Sequence, residues 1–235
     1  MFPAKIKRNM GFDVKITTFS RILDLIAPFS CRGCGRLGSL LCECCKKYNT
    51  RAIPEICARC RKNYKKCSCE VPVYVVGRRE GVLMKLTEDY KYKSIRKTAE
   101  VLAELMSYAI PKDFGVDEDV IVIPLPTIAR HIRERGFDHT RLLAKKLAEC
   151  RGWKMKTPTP IFRINKTVQV GADEKTRKAQ AGKAYMVSGK MDSSKMYLLI
   201  DDVWTTGASM ESAIRLMKKA GAVKLASAVI LMPPE

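Results

Sequence analysis

Long apolar runs are missing from this sequence. The longest, residues 120–125 and 196–200, fall far short of the roughly 20 residues a membrane span needs, so no membrane insertion is expected. Residues 1–21 are basic but contain neither a continuous apolar stretch nor a small-residue cleavage site, so no signal peptide is expected and the cytoplasm is the expected location. Histidine is nearly absent: His131 and His139 are the only two, and neither is assigned catalysis. Acidic residues are scarce as well, 24 against 44 Lys and Arg, which leaves a formal charge of +20. That excess predicts an acidic partner, either nucleic acid or a phosphate-rich ligand. With 46% hydrophobic and 29% charged residues a packed core is attainable and wholesale disorder is excluded. A length of 235 residues fits one large domain, or one domain with a small module.

Cysteine is sparse everywhere except one place. Nine of the ten lie between Cys31 and Cys69, and only Cys150 lies elsewhere. They run as Cys31-x-x-Cys34, Cys42-x-x-Cys45, Cys57-x-x-Cys60 and Cys67-x-Cys69, with Cys44 as the spare. A two-residue gap lets a tight turn aim two thiolates at one metal, and two such turns complete a tetrahedral zinc site. Four pairs imply one or two structural Zn²⁺ ions, the second site resting on the irregular pair; spacing leaves open which pairs share a metal. A disulfide framework is the rival reading, disfavoured in a reducing compartment. Residues 1–70 carry 15 basic and 5 acidic residues, a denser positive charge than the rest of the chain. Because this region has few large aliphatics, metal must supply much of its folding energy. Its core is expected to be separate from that of the rest, so that chelation unfolds residues 31–69 alone.

From residue 71 the pattern becomes that of an α/β domain. Strands are expected at 73–77, 120–124, 161–164, 184–187, 196–200 and 223–232, and helices at 82–92, 95–110, 140–149 and 208–220. Alternating strands and helices with continuous apolar strand runs imply a mostly parallel sheet. The expected organisation is a basic extension at 1–21, a zinc-ribbon module at 22–70 and the α/β domain at 71–235. Residues 165–183 have no apolar periodicity, and a loop of that length is usually functional.

The chemistry concentrates in one segment, where a buried strand ends in Asp201 and Asp202. A hydroxyl-rich turn follows, Thr205-Thr206-Gly207-Ala208-Ser209, and opens a helix. The hydroxyls, the bare backbone at Gly207 and the first helix amides form a phosphate cradle. Two carboxylates beside it make sense for a sugar phosphate: they accept bonds from vicinal ribose hydroxyls while the turn holds the 5′-phosphate.

This segment resembles the 5-phosphoribosyl-1-pyrophosphate (PRPP) motif of type I phosphoribosyltransferases. Over nearly the whole chain the sequence resembles the ComF family, competence-related proteins that join an N-terminal zinc ribbon to that fold. The matching features are Leu25-Ile-Ala-Pro28 before Cys31, the cysteine pairs, Tyr90-Lys91-Tyr92, Ile123-Pro124-Leu125-Pro126, Arg133-x-Arg135-Gly136-Phe137, and the segment from Asp201 to Ser209. The resemblance implies that Asp201 and Asp202 serve catalysis by binding the ribose, with Mg²⁺ accompanying PRPP. It places a pyrophosphate loop after Pro126, with Arg130, Arg133 and Arg135 as neutralising cations, and a closing loop at 167–183 carrying Lys175 and Arg177. Asp138 and His139 stand where the family usually has Asn and Gln.

The resemblance further implies single-stranded nucleic acid as a partner, with a helicase or other DNA-handling protein, and a role in DNA uptake. Two other readings stand beside it: a nucleotide-salvage phosphoribosyltransferase, and a non-catalytic module that binds PRPP or nucleic acid. Trp204 either stacks on a base or fills its loop.

Overall fold

Three apolar runs make the centre of the sheet, buried on both faces as parallel strands require. They are β3 (Val120–Pro124), β7 (Met196–Val203) and β8 (Lys224–Met232). In this computed structural model the residues described are 28–49, 53–58, 71–93, 95–164 and 184–234. The other strands are β1 (Ile53–Cys57), β2 (Pro72–Arg78), β4 (Lys154–Met155), β5 (Ile161–Arg163) and β6 (Tyr185–Val187). The helices are α1 (Glu43–Asn49), α2 (Gly81–Tyr92), α3 (Thr98–Ala109), α4 (Ala129–Arg135), α5 (His139–Arg151) and α6 (Ala208–Lys219). Six strands form the main sheet in the order β1-β2-β8-β7-β3-β4, parallel throughout except for β1 on β2, while β5 and β6 pair as a separate antiparallel ribbon. No helix among the described residues is long and apolar enough to cross a membrane.

The two-residue period of the strands sends alternate side chains to two cores. Leu198, Ile200, Ala226 and Ala228 face one side, covered by α2, α3 and α5 through Leu86, Leu102 and Leu143. Tyr197, Leu199, Leu225 and Val229 face the other, covered by α6 through Met210, Ala213 and Met217, and by β6 through Tyr185.

Among the elements that apolar periodicity does not reveal are α1, β1, β4 and α4. Helix α4 buries none of its residues, so it carries no hydrophobic stripe to read. The helix expected from residue 95 begins at Thr98, because residues 95–97 form a three-residue turn in which Ile95 O accepts from Thr98 N at 2.9 Å.

The expectation of a separate core for the cysteine-rich region does not hold. Cys31, Leu40 and Leu41 are buried in the same cluster as Leu86, Leu102 and Leu198. Lys46 of α1 reaches Glu104 of α3 at 2.7 Å, and β1 adds an antiparallel edge to the main sheet. A region with so few aliphatics completes its burial by borrowing the larger domain's surface.

Candidate functional site

From β3 the chain runs through α4 and α5 to β4, and from its neighbour β7 through α6 to β8 on the opposite side. The two strands therefore part company at a topological switch point. The crevice beyond their carboxyl ends is where open α/β sheets bind ligands. Pro124 pairs with Ile200, and Leu125 N donates to Ile200 O at 2.8 Å, so the loop after β3 and the acidic pair after Ile200 emerge side by side.

Strand alternation splits the acidic pair. Asp202 continues the face of Leu198 and Ile200 and is buried, with an ion pair to Lys91 Nζ in the last turn of α2. His139 Nε2, at the start of α5, lies 3.3 Å from the same Asp202 Oδ2. Arg135 Nη1 sits 2.8 Å from His139 Nδ1. The same Nη1 lies 3.2 Å from Nε2, and since a guanidinium cannot accept, the ring nitrogen it bonds is an acceptor, with Nδ1 the nearer of the two. Burial, with the charges of Arg135 and Lys91 beside it, holds His139 down to about 3, so the imidazole is neutral. Burial also brings the Lys91 ammonium down to about 8, against the opposing pull of Asp201.

Asp201 points to the other face and is partly open to the crevice. Although its tip keeps some exposed surface, the protein packed around it disfavours the charged form and pushes the carboxyl up to about 7, while Lys91 and Arg163 pull it the other way. Arg163 Nη1 donates to Tyr185 Oη at 3.0 Å, and the Tyr185 hydroxyl also meets the side chain of Ser209. The β5–β6 ribbon thus anchors the end of the Asp201–Ser209 segment. Between them the turn is built around Trp204, which is buried and fills the loop from within. Gly207 has φ +73°, and a Cβ there would stand 2.6 Å from Trp204 Nε1. Thr205 and Thr206 are exposed at the crest, and α6 starts at Ala208, whose amide donates to Thr206 Oγ1 at 3.4 Å.

On the β3 side, Thr127 Oγ1 donates to Asp138 Oδ1 at 3.0 Å, and the same oxygen accepts from Arg141 N at 3.1 Å to cap α5. Asp138 is therefore occupied in shaping the loop. Of the three arginines singled out in sequence, only Arg135 turns into the cluster. Arg130 is exposed and paired with Glu134 at 3.2 Å, and Arg133 is exposed. Lys175 and Arg177 lie outside the described residues. Lys91, His139, Arg163 and Tyr185 join the site without having been assigned to it. Lys91 had a signal in its Tyr-Lys-Tyr setting, whereas the others are placed by contacts between distant segments.

The cysteines resolve one ambiguity. Cys31, Cys34, Cys42 and Cys45 bring their Sγ atoms within 4.8 Å of one another, so neighbouring pairs share a centre. The Sγ separations of 3.7 Å (Cys31–Cys42) and 3.6 Å (Cys34–Cys42) match the edge of roughly 3.8 Å of a tetrahedron with Zn–S bonds of about 2.3 Å. A disulfide needs about 2.05 Å. Burial raises the Cys31 thiol, but the amides of Cys34, Cys42 and Gly33 outweigh it and bring it to about 6, which favours a thiolate ligand. Gly33 has no room for a side chain, since a Cβ would meet Cys45 Sγ at 2.7 Å. Cys44 is exposed and outside the cluster. Of the second set, Cys57 is buried at the end of β1, while Cys60, Cys67 and Cys69 lie outside the described residues.

Comparison with known proteins follows the same lines. No protein-family model matches the chain. It is 23% identical over 214 residues to the competence protein ComFC of Bacillus subtilis, covering 89% of this chain and 80% of that protein. It is 29% identical over 150 residues to a uracil phosphoribosyltransferase of Lacticaseibacillus paracasei, covering 61% of this chain and 66% of that one. Among solved structures, a hypoxanthine phosphoribosyltransferase from Staphylococcus aureus superposes with a TM-score of 0.39 and 12% identity, over 59% of this chain and 65% of the other. An orotate phosphoribosyltransferase from Aeropyrum pernix superposes with a TM-score of 0.34 and 13% identity, over 60% and 62%.

Proposed function

From a chain that is ComF-like in sequence, with a four-cysteine centre beside a sheet of the type I phosphoribosyltransferase kind, we propose a protein that binds PRPP at the β3–β7 switch point. The observation that carries this reading is the placing of Asp201, Asp202 and the turn 205–209 at one strand end, next to the loop after Pro124. The ribose diol donates to Asp201, which is the more open carboxylate, and Asp202 backs it from below. Thr205, Thr206, Ser209 and the amides of Gly207 and Ala208 hold the 5′-phosphate. The diphosphate lies toward the β3 loop, where Arg135 and Lys91 supply positive charge, with Lys175 and Arg177 assigned to the closing loop.

Transfer breaks the bond between the anomeric carbon and the diphosphate oxygen, which leaves with the electron pair, and forms a bond from that carbon to the acceptor. Positive charge develops on the ribose ring, and the carboxylates beneath it are placed to stabilise that charge. Bound with the diphosphate, Mg²⁺ would neutralise the leaving group; Asp201 is the carboxylate free to face it, since Asp202 is taken by Lys91. Titrating PRPP with Mg²⁺ into wild type and Asp201→Asn/Asp202→Asn tests the site. Equal affinities would remove the ribose clamp.

The biological setting follows the similarity to ComFC together with the +20 charge: handling of single-stranded DNA during uptake, with a helicase or similar protein as partner. The similarity to a uracil phosphoribosyltransferase favours a second reading, nucleotide salvage. A cavity of about 250 Å³ beside the site, lined by Pro126, Thr127, Ile161, Phe162 and Arg163, offers room for a planar acceptor. Pyrophosphate release with a panel of bases and amines separates the two; robust turnover with one base favours salvage.

A further inference from the structure

We infer that the four-cysteine knuckle positions Lys91 in the crevice, acting through Arg32 and Asp89. The inference deepens the phosphoribosyl reading and rests on it for the identity of the ligand. Arg32 lies inside the Cys31–Cys34 turn. Its backbone is pinned there, with Arg32 N donating to Leu40 O at 3.0 Å and Gly35 N to Cys31 O at 2.9 Å. From that fixed base the Arg32 guanidinium Nε pairs with Asp89 Oδ2, and Asp89 is only 2% exposed. Lys93 also reaches Asp89, at 2.8 Å, but its side chain is 68% exposed and its charge is screened by water. Arg32 is thus the partner that neutralises Asp89 from the protein side.

Asp89, Tyr90 and Lys91 are consecutive residues in the last turn of α2. Successive side chains on a helix point about 100° apart, so these three reach three different neighbours. Asp89 goes to the knuckle. Tyr90, fully buried, donates from Oη to His139 O at 2.6 Å, at the start of α5. Lys91 goes to Asp202 at the end of β7. Rotating or lifting this turn would break all three contacts together, so the knuckle, α5 and the acidic pair are held in one register. A second bridge from the cysteine region, Lys46 to Glu104, ends on α3 instead of the last turn of α2. It provides an internal control.

The experiment compares metal-loaded wild type, Arg32→Gln and Lys46→Met, with zinc content measured for each. Two quantities are read: the Lys91 side-chain NMR signal in protein labelled with ¹³C-lysine, assigned through Lys91→Met, and PRPP affinity in the presence of Mg²⁺. The expected result is a displaced Lys91 signal and about tenfold weaker PRPP binding in Arg32→Gln, with neither change in Lys46→Met. If Arg32→Gln does not retain zinc, Asp89→Asn leaves the knuckle's own sequence intact and is read in the same way. An unmoved Lys91 signal with unchanged affinity overturns the inference, as does an equal loss in the Lys46→Met control. Absence of PRPP binding by wild type defeats the phosphoribosyl reading instead, and the Lys91 signal then decides the coupling alone.

Discussion

His139 Nε2 stands 3.3 Å from Asp202 Oδ2 with both side chains buried. Because burial and the neighbouring Arg135 keep this imidazole neutral, it lies against Asp202 without balancing its charge. That task falls to Lys91. The electrostatics of the crevice therefore turn on three groups, Asp201, Asp202 and Lys91, drawn from two distant parts of the chain.

PRPP affinity should pass through a maximum with pH. It should rise as Asp201 ionises around 7, and fall as Lys91 loses its proton around 8. Replacing Lys91 by Arg, whose charge persists, should abolish the alkaline fall and leave the acid limb in place. Titration calorimetry between pH 6 and 9 measures both limbs.

Stability should respond to acid through two opposing groups. His139 is depressed to about 3, so its contribution is full above the ordinary value of 6.5 and is lost as pH falls toward 3. Asp201 is raised to about 7, so its contribution is full below 3.8 and is lost as pH rises through 7. On acidification from pH 7 to 5 the Asp201 gain offsets the His139 loss. Asp201→Asn removes that offset, so the variant should lose more stability than wild type over this interval. Denaturant titrations at the two pH values decide it.

Lys91→Met should destabilise the protein by about 3 kcal/mol at pH 8, the usual cost of stranding a buried partner charge. Adding Asp202→Asn removes the stranded charge and should recover most of that loss. A double variant no more stable than Lys91→Met alone would show that Lys91 stabilises by packing.

Gly207→Ala places a Cβ at φ +73° and against the Trp204 indole. The strain should cost roughly 1–3 kcal/mol, displace Trp204 and weaken PRPP binding through the phosphate turn. Trp204→Leu should recover part of the stability of the alanine variant by opening the space beneath the loop. Thermal melts with tryptophan fluorescence report both effects.

Removing zinc should lower the melting temperature of the whole protein, since Cys31, Leu40 and Leu41 share a core with α2 and α3. Cys44→Ser should leave the zinc content unchanged, and Cys31→Ser should abolish the centre formed by Cys31, Cys34, Cys42 and Cys45. A chelated protein whose α/β melt is unshifted would contradict the shared core.

Single-stranded DNA binding, if carried by the basic cysteine-rich segment, should weaken steeply with salt and show little sequence preference. Each phosphate contact contributes about 0.7 to the log–log slope, so replacing Lys62, Lys65 and Lys66 by Ala should flatten it by roughly two. An unchanged slope with zinc intact moves the contact to the Arg130–Arg135 helix or to residues 167–183.

What the sequence determined by itself is local chemistry. Apolar strand runs, helical stripes, paired cysteines and the acid-acid-turn-helix segment each declare themselves within a dozen residues, because period and spacing are properties of a short stretch of chain. Helix α4 left no such trace, having no buried face. The tertiary structure alone decided which segments meet. Lys91, 111 positions before Asp202, becomes its counter-ion only when α2 packs across β2 and β8 and its last turn reaches the end of β7, and His139 becomes a buried neighbour of Asp202 only because α5 starts beside the same strand end. Packing likewise turned Trp204 inward beneath Gly207, and made one core from the knuckle and the α/β domain, because Leu40 and Leu41 are buried in the cluster that α2 and α3 complete.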